Sequence, residues 1–273
     1  MKIAYIGIDL FLPALEFLKK INCEVLEIFS CPTDNFTEFN TGIINFAKQY
    51  NIPYKLEKIS ENDFERLYNK GCEAVICAGY YYKIPVYKKI PSVNIHPSLL
   101  PYGRGSWPMP YEILLDNRKS GVTIHKISSA LDEGDILLQR DFLLSENENH
   151  DTFMEKVYNL LPELLNKLIL NFDKLYASAT PQAGNVVYFP LPDKKMYTVN
   201  RDTDIITADK LFRAFYGYEC YYNEDACSYI LIRPYVVEDL NMINTKTHGI
   251  FNLKDGYAVC LKENIYKNDN LFS

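Results

Sequence analysis

Lys2-Ile3-Ala4-Tyr5-Ile6-Gly7-Ile8 and, further on, Glu24-Val25-Leu26-Glu27-Ile28-Phe29 decide the fold. The first run is short, apolar and rich in isoleucine, as a buried strand is. Between the two, residues 12–21 carry apolar side chains at helical spacing. Working outward, residues 38–50 and 61–70 read as helices, and residues 74–78 and 92–95 as further short apolar strands. Strands alternating with helices predict an α/β fold: a doubly wound, mostly parallel, Rossmann-like sheet. Such a sheet binds ligands beyond the carboxyl ends of its strands. Attention therefore falls on the residues just past Ala78 and just past Ile95.

The rest of the chain reads less regularly. Residues 121–127 and 136–143 read as strands, with Leu131-Asp132-Glu133-Gly134-Asp135 as the turn between them. Residues 150–176 carry a long helical periodicity, broken only by Pro162 and with Asp151 as its cap, and read as one long helix or two abutting helices. Thr180-Pro181-Gln182-Ala183-Gly184-Asn185 reads as a linker. Beyond it come a helical stretch, residues 208–215, and short strands at 229–237, 249–253 and 257–261. The expected division is a domain over 1–180 and a smaller β-rich region over 181–273.

Composition narrows the function. The 273 residues carry a formal net charge of −6, and beyond residue 181 ten Lys/Arg face twelve Asp/Glu. A nucleic-acid binder usually presents a basic patch, so no nucleic-acid partner is expected. The first strand runs into Gly7-Ile8-Asp9-Leu10-Phe11, which is neither G-x-G-x-x-G nor a P-loop. No apolar run is long enough for a signal peptide or a membrane span. Seven cysteines, with no C-x-x-C pair, read as free thiols in a reducing cytoplasm, and no metal site is expected.

Three polar residues fall where the sheet would put a site. Asn94 and His96 are two apart on a strand and share a face. Pro97 and Pro101 then turn the chain away, and Gly103-Arg104-Gly105 is a loop able to bring backbone close to a ligand. Asp132 lies in the turn before Gly134. A neutral histidine can take a proton from an attacking amine, an asparagine amide can donate to an oxyanion, and a carboxylate can hold the histidine. Together they suit acyl transfer to an amine without a nucleophilic Ser or Cys.

The run Val93-Asn94-Ile95-His96-Pro97-Ser98-Leu99-Leu100-Pro101-Tyr102-Gly103-Arg104-Gly105 resembles the signature of the 10-formyltetrahydrofolate-dependent formyltransferases. Gly121 to His125, with Leu131 to Leu137 after it, resembles that family's second motif. The resemblance covers roughly residues 1–145 and implies Asn94, His96 and Asp132 as the catalytic trio, with His125 in support. It implies main-chain binding of the pterin by Gly79, Tyr80, Tyr82 and Ile84 and by 129–131, including Ser129 and Leu131, with Arg104 and Gly105 also at the cofactor.

Length and an aromatic-rich tail, with 22 Tyr and 15 Phe in the whole chain, look most like the sugar N-formyltransferases of bacterial surface-polysaccharide (lipopolysaccharide, O-antigen) pathways. The implied acceptor is a nucleotide-linked amino sugar, most narrowly a dTDP-3-amino-3,6-dideoxyhexose. The expected acceptor contacts are Tyr216, Tyr218, Tyr221 and Tyr222 for the base and Lys210 and Arg213 for the pyrophosphate. The resemblance further implies a cytoplasmic homodimer. Two alternatives stay open: a methionyl-tRNA formyltransferase, which usually carries a basic carboxy-terminal domain, and a formyltetrahydrofolate hydrolase, which usually carries a regulatory domain ahead of the scaffold. A non-catalytic protein on the same scaffold is disfavoured by the intact trio.

Overall fold

The structure is a computed structural model that describes residues 1–224 and 227–268. Its first compact unit comprises Met1–Pro108, Lys119–Leu143 and Glu155–Phe189. Five strands come first: β1 (Lys2–Gly7), β2 (Glu24–Phe29), β3 (Tyr54–Lys55), β4 (Ala74–Ala78) and β5 (Ser92–His96). A short β6 (Tyr102–Arg104) precedes β7 (Lys119–Lys126) and β8 (Ile136–Leu143). Seven of these form one sheet in the order β3-β2-β1-β4-β5-β7-β8. Strands β1 to β5 pair in parallel, and β7 and β8 add antiparallel strands at one edge. The expected doubly wound, mostly parallel sheet is present, with its order reversing between β1 and β4.

The central parallel strands β1 and β4 are buried along almost their whole length, which is why they read as unbroken apolar runs. Ile3, Ala4, Tyr5 and Ile6 of β1 and every residue of β4 are buried. Helix α1 (Leu12–Lys20) contributes Ala14, Leu15 and Leu18 to the core. Helix α2 (Thr41–Gln49) receives the Asp9 carboxylate on the N–H groups of Gly42 and Ile43, at 2.7 and 2.8 Å. A side chain far back in sequence thus satisfies donors that a helix start leaves open. Helix α3 (Glu61–Asn69) begins on a Ser60/Asp63 capping box and packs Phe64 and Leu67 against Ala4, Ile6 and Val75.

The region forms two abutting helices, one of the two arrangements expected, with the break at Asn171 and not at Pro162: α5 runs unbroken over His150–Leu170 and α6 (Phe172–Ala177) follows. An interior proline costs about 3 kcal/mol, and the stripe Phe153, Val157, Leu161, Leu164, Leu165 and Leu168, all buried, offsets it. The cap is Asn149, whose side chain accepts from Thr152 N–H at 2.9 Å, while Asp151 pairs with Arg233 at 3.2 Å.

Residues 180–185 are not a free linker. Thr180 exchanges two backbone hydrogen bonds with Ile136. The strand β9 (Val187–Tyr188) then pairs in parallel with β6. The first unit therefore continues to Phe189, past the expected boundary.

The second unit takes in Met109–Arg118 and Leu144–Met154 along with the chain from Pro190 on. Helix α4 spans Pro108–Leu114, and α7 (Ile205–Ala214) starts on Asp204, which caps it through Thr207 N–H. One sheet joins β10 (Thr198–Asn200), β11 (Glu219–Glu224), β12 (Cys227–Ile232) and β16 (Ile265–Lys267); a second joins β13 (Tyr235–Val237), β14 (His248–Asn252) and β15 (Tyr257–Leu261) in the order β13-β15-β14. The single strand expected over 229–237 is broken by Arg233, whose φ is +57°, ahead of Pro234.

The turn between β7 and β8 is built on contact rather than on length. A Cβ on Gly134 would stand 1.8 Å from the Lys126 carbonyl oxygen. Gly134→Ala is expected to cost about 1–3 kcal/mol, the usual penalty of overpacking, read as a lower urea midpoint. An unchanged midpoint would show that the turn relaxes freely.

Candidate active site

The sheet register assembles the site. Asn94 lies directly opposite His125 across the β5–β7 pair, and His96 lies opposite Thr123. Asn94 and His96 share a face by the strand period, and His125 faces Asn94 across the ladder. Residues 127–135 leave β7 and fold back so that Asp132 reaches this face. Its backbone sits in the left-handed region, at φ +54°.

Hydrogen bonds settle which nitrogen carries which proton. The His96 Nε2 lies 2.8 Å from the Gly103 carbonyl, which can only accept, so Nε2 carries the hydrogen. Nδ1 is then bare in the neutral ring and faces Asp132 Oδ2 at 3.7 Å. His125 donates from Nδ1 to the Lys126 carbonyl at 2.9 Å, leaving Nε2 to accept from Asn94 Nδ2 at 3.3 Å. The second Asn94 N–H points at Asp132 Oδ1, at 3.5 Å. The reverse amide orientation would set oxygen against a carboxylate and a bare ring nitrogen. Gly105 N–H donates to Asp132 Oδ2 at 3.0 Å.

His96, His125 and Asp132 are buried and Asn94 is half-buried, so the asparagine head is the most open of the four. Burial pushes the His96 imidazole below its usual range, against the Asp132 charge and the Gly103 carbonyl, which favour the charged form. Burial also pushes the Asp132 carboxyl up, but the charge of His96, the contacts of His125 and the Gly105 N–H outweigh it and leave it at about 2. The pair is a neutral base beside a fixed anion that would stabilise it once protonated.

The expected trio is thus brought together, with two differences. Asp132 does not hold the His96 N–H; the Gly103 carbonyl does. Asn94 has both N–H groups turned inward, on contacts long enough to yield one to a better acceptor. His125, expected only in support, is a full member of the cluster. Its partnership with Asn94 is set by register between strands distant in sequence.

The expected cofactor residues divide. Gly79 comes directly after β4 at φ +69°, where only glycine fits easily. Tyr80 is committed by its hydroxyl to the loop before α3, accepting from Ile59 N–H and donating to the Glu57 carbonyl. Ile84 is buried in the core beside Phe64 and Ile90. Tyr82, Leu131 and Ser129 are exposed. Arg104 clamps Gln182 and Glu133.

The expected nucleotide contacts need correction. Arg213 donates to Asp209 and to the Glu148 carbonyl, and Lys210 is paired with Asp116. Both cations tie the 109–118 and 144–154 segments to α7, so neither stands open to a pyrophosphate. Tyr222 is wholly buried with its hydroxyl on the Asn252 carbonyl. Tyr221 is buried with the Lys194 ammonium 3.7 Å from its ring centroid. Tyr216 and Tyr218 remain half-buried.

A neutral imidazole, an amide donor and a buried carboxylate on the face of a doubly wound sheet are the equipment of acyl transfer to an incoming nucleophile. A family model described as formyl transferase matches residues 30–169, which include all four side chains. The chain belongs to the formyl transferase family.

A methionyl-tRNA formyltransferase of Ehrlichia chaffeensis is 38% identical over 141 residues, 50% of this chain and 46% of that protein. The chain thus spans about half the length of that relative. One from Thermosipho africanus is 31% identical over 79% of this chain and 72% of its own length. Among solved structures, HypX from Aquifex aeolicus in complex with tetrahydrofolic acid has a TM-score of 0.71 at 18% identity, covering 95% of this chain and 43% of that one. WlaRD, a sugar 3N-formyl transferase solved with dTDP and 5-N-formyl-THF, has a TM-score of 0.61 at 18% identity, covering 99% of both. These structural likenesses show the fold.

The two depressed histidines set the acid response. Burial holds His150 at about 4, and His96 also lies below the ordinary 6.5. The unfolded chain therefore takes up their protons first, and the stability gained by keeping them neutral is complete above 6.5 and lost as pH falls below it. Asp132 acts in the same direction lower down, between 3.8 and about 2. Urea midpoints should fall from pH 7 to pH 4.5, and His150→Phe should flatten that slope. An equally steep slope in the variant would remove His150 from the account.

Proposed function

We propose that the chain transfers the formyl group of 10-formyltetrahydrofolate to the amine of a nucleotide-linked amino sugar. Family membership supports formyl transfer, and the convergence of Asn94, His96 and Asp132 carries it to these residues. The amine attacks the formyl carbon, and the carbonyl oxygen becomes an oxyanion. Asn94 turns one N–H from its long inward contact to that oxygen. The bare Nδ1 of His96 takes the proton the amine gives up, beside the Asp132 carboxylate. The bond from carbon to the folate nitrogen breaks, and that nitrogen receives the proton His96 took from the amine. The N-formylated amino sugar and tetrahydrofolate leave. In this reading the pterin lies against the segments after β4 and β7, where Gly79 is left-handed and Tyr82 and Leu131 are exposed.

The acceptor rests on charge. A chain of net charge −6, with more acid than base beyond residue 181, is poorly suited to a phosphate backbone. Tyr216 and Tyr218 are the remaining aromatic candidates for a nucleotide base. The likeness in sequence to methionyl-tRNA formyltransferases favours a second reading, with methionyl-tRNA as acceptor. In either reading the work is done in the cytoplasm.

An acceptor screen decides between them. The protein is given 10-formyltetrahydrofolate with dTDP-3-amino, dTDP-4-amino, GDP- and UDP-amino sugars or methionyl-tRNA, and mass spectrometry reads a formyl gain. Gain on one nucleotide sugar is expected; gain on methionyl-tRNA moves the acceptor, and release of formate alone makes the protein a hydrolase. Asn94→Ala is expected to lose about 10²–10³ in turnover with folate affinity retained. Full turnover in that variant would sink its role.

A further inference from the structure

Residues 180–185, which read as a linker, run alongside the site, and one side chain there touches both loops that hold it. Gln182 donates from Nε2 to the carbonyls of Asp132 and Gly134, at 2.7 and 2.9 Å. Its Oε1 accepts from Arg104 Nε and Nη2, at 3.1 and 2.9 Å. Arg104 reaches the same loop again through Glu133, at 3.0 Å. Every hydrogen-bonding position of the glutamine amide is occupied. The amide cannot be reversed, because reversal would face oxygen with two carbonyls and N–H groups with a guanidinium.

The backbone around this amide is held as firmly. Phe189 N–H donates to the Arg104 carbonyl at 2.6 Å, and a Cβ on Gly105 would stand 1.9 Å from Phe189 oxygen. Gly103 and Gly105 are the two residues through which this loop grips the site, one on His96 and the other on Asp132. Asp132 itself holds a left-handed backbone, a conformation that costs about 1–3 kcal/mol in a non-glycine residue and persists only when its surroundings enforce it.

We infer that Gln182 is a positioning residue: its amide clips the Asp132 loop to the Gly103–Gly105 loop and so sets the Asp132 carboxylate against His96 and His125. The role requires an amide of this length. Glutamate would keep Arg104 but set anionic oxygen against two carbonyls, and leucine would keep only the volume. The inference rests on the proposed formyl transfer for its kinetic test and has a second test that does not.

Gln182→Leu and Gln182→Glu are compared with wild type for turnover of 10-formyltetrahydrofolate with the acceptor found by the screen. Residues that orient a catalytic group typically carry about 10–100-fold in activity. A loss of that size is expected in turnover, with KM for the folate changed less than about twofold. In an Asp132→Asn background the same substitutions should cost nothing more, because Gln182 acts through that carboxylate. Turnover near wild type, or an undiminished loss in the Asp132→Asn background, overturns the inference. Should Gln182→Leu lack a cooperative melt, Arg104→Met unloads the same amide and takes its place.

The second reading uses the folate-free protein, whose four histidines are resolved by nitrogen-15 NMR. The groups facing His96 are Asp132, His125 and the Gly103 carbonyl. Displacing Asp132 removes the charge that offsets burial, so the His96 midpoint should fall in Gln182→Leu. A His96 midpoint that holds or rises overturns the inference. A wild-type protein that transfers no formyl group sinks the functional proposal alone, and the titration still decides the clip.

Discussion

Everything at the site depends on the position of one buried anion, the Asp132 carboxylate. It accepts from Gly105 N–H and lies within 3.4–3.7 Å of a nitrogen on each of His125, Asn94 and His96. An isolated carboxylate in such a place would protonate. This one stays charged because N–H groups of Gly105 and Asn94 face it, and because either imidazole, once protonated, is a cation beside it. The charge then offers His96 a partner that is strongest when the ring is protonated, and fixes the direction of the Asn94 amide.

Holding the anion there takes backbone that glycine alone allows. Gly134 passes against the Lys126 carbonyl, and Gly105 passes against Phe189. Between them Asp132 takes a left-handed conformation. The antiparallel strands β7 and β8 serve the same end. Pairing of β7 with β5 places His125 opposite Asn94, and the turn from β7 to β8 carries Asp132 back over the sheet.

The second unit shows a different use of charge. Arg213 and Lys210, expected as pyrophosphate ligands, secure segments drawn from two earlier parts of the chain. Long-range pairing of this kind leaves no trace in local spacing. The same holds for the aromatic run 216–222, half of which is core.

The sheet was legible because its parallel strands are buried on both faces, and burial writes itself into sequence as short apolar runs. Asn94, His96 and Asp132 were legible too, since a two-residue spacing on a strand and a glycine turn are local facts that the family motif reinforces. The short strands β3, β6 and β9 escaped, because two or three residues carry no period. That the two helices part at Asn171 and not at Pro162 escaped, because packing outweighed local propensity. So did the contact of His125 with Asn94 and the grip of Gln182. Local sequence by itself determined which residues form the sheet and which three polar groups end near its edge. Tertiary structure alone decided which nitrogen each histidine presents and what holds Asp132 in place, because those depend on hydrogen bonds between residues up to 78 positions apart.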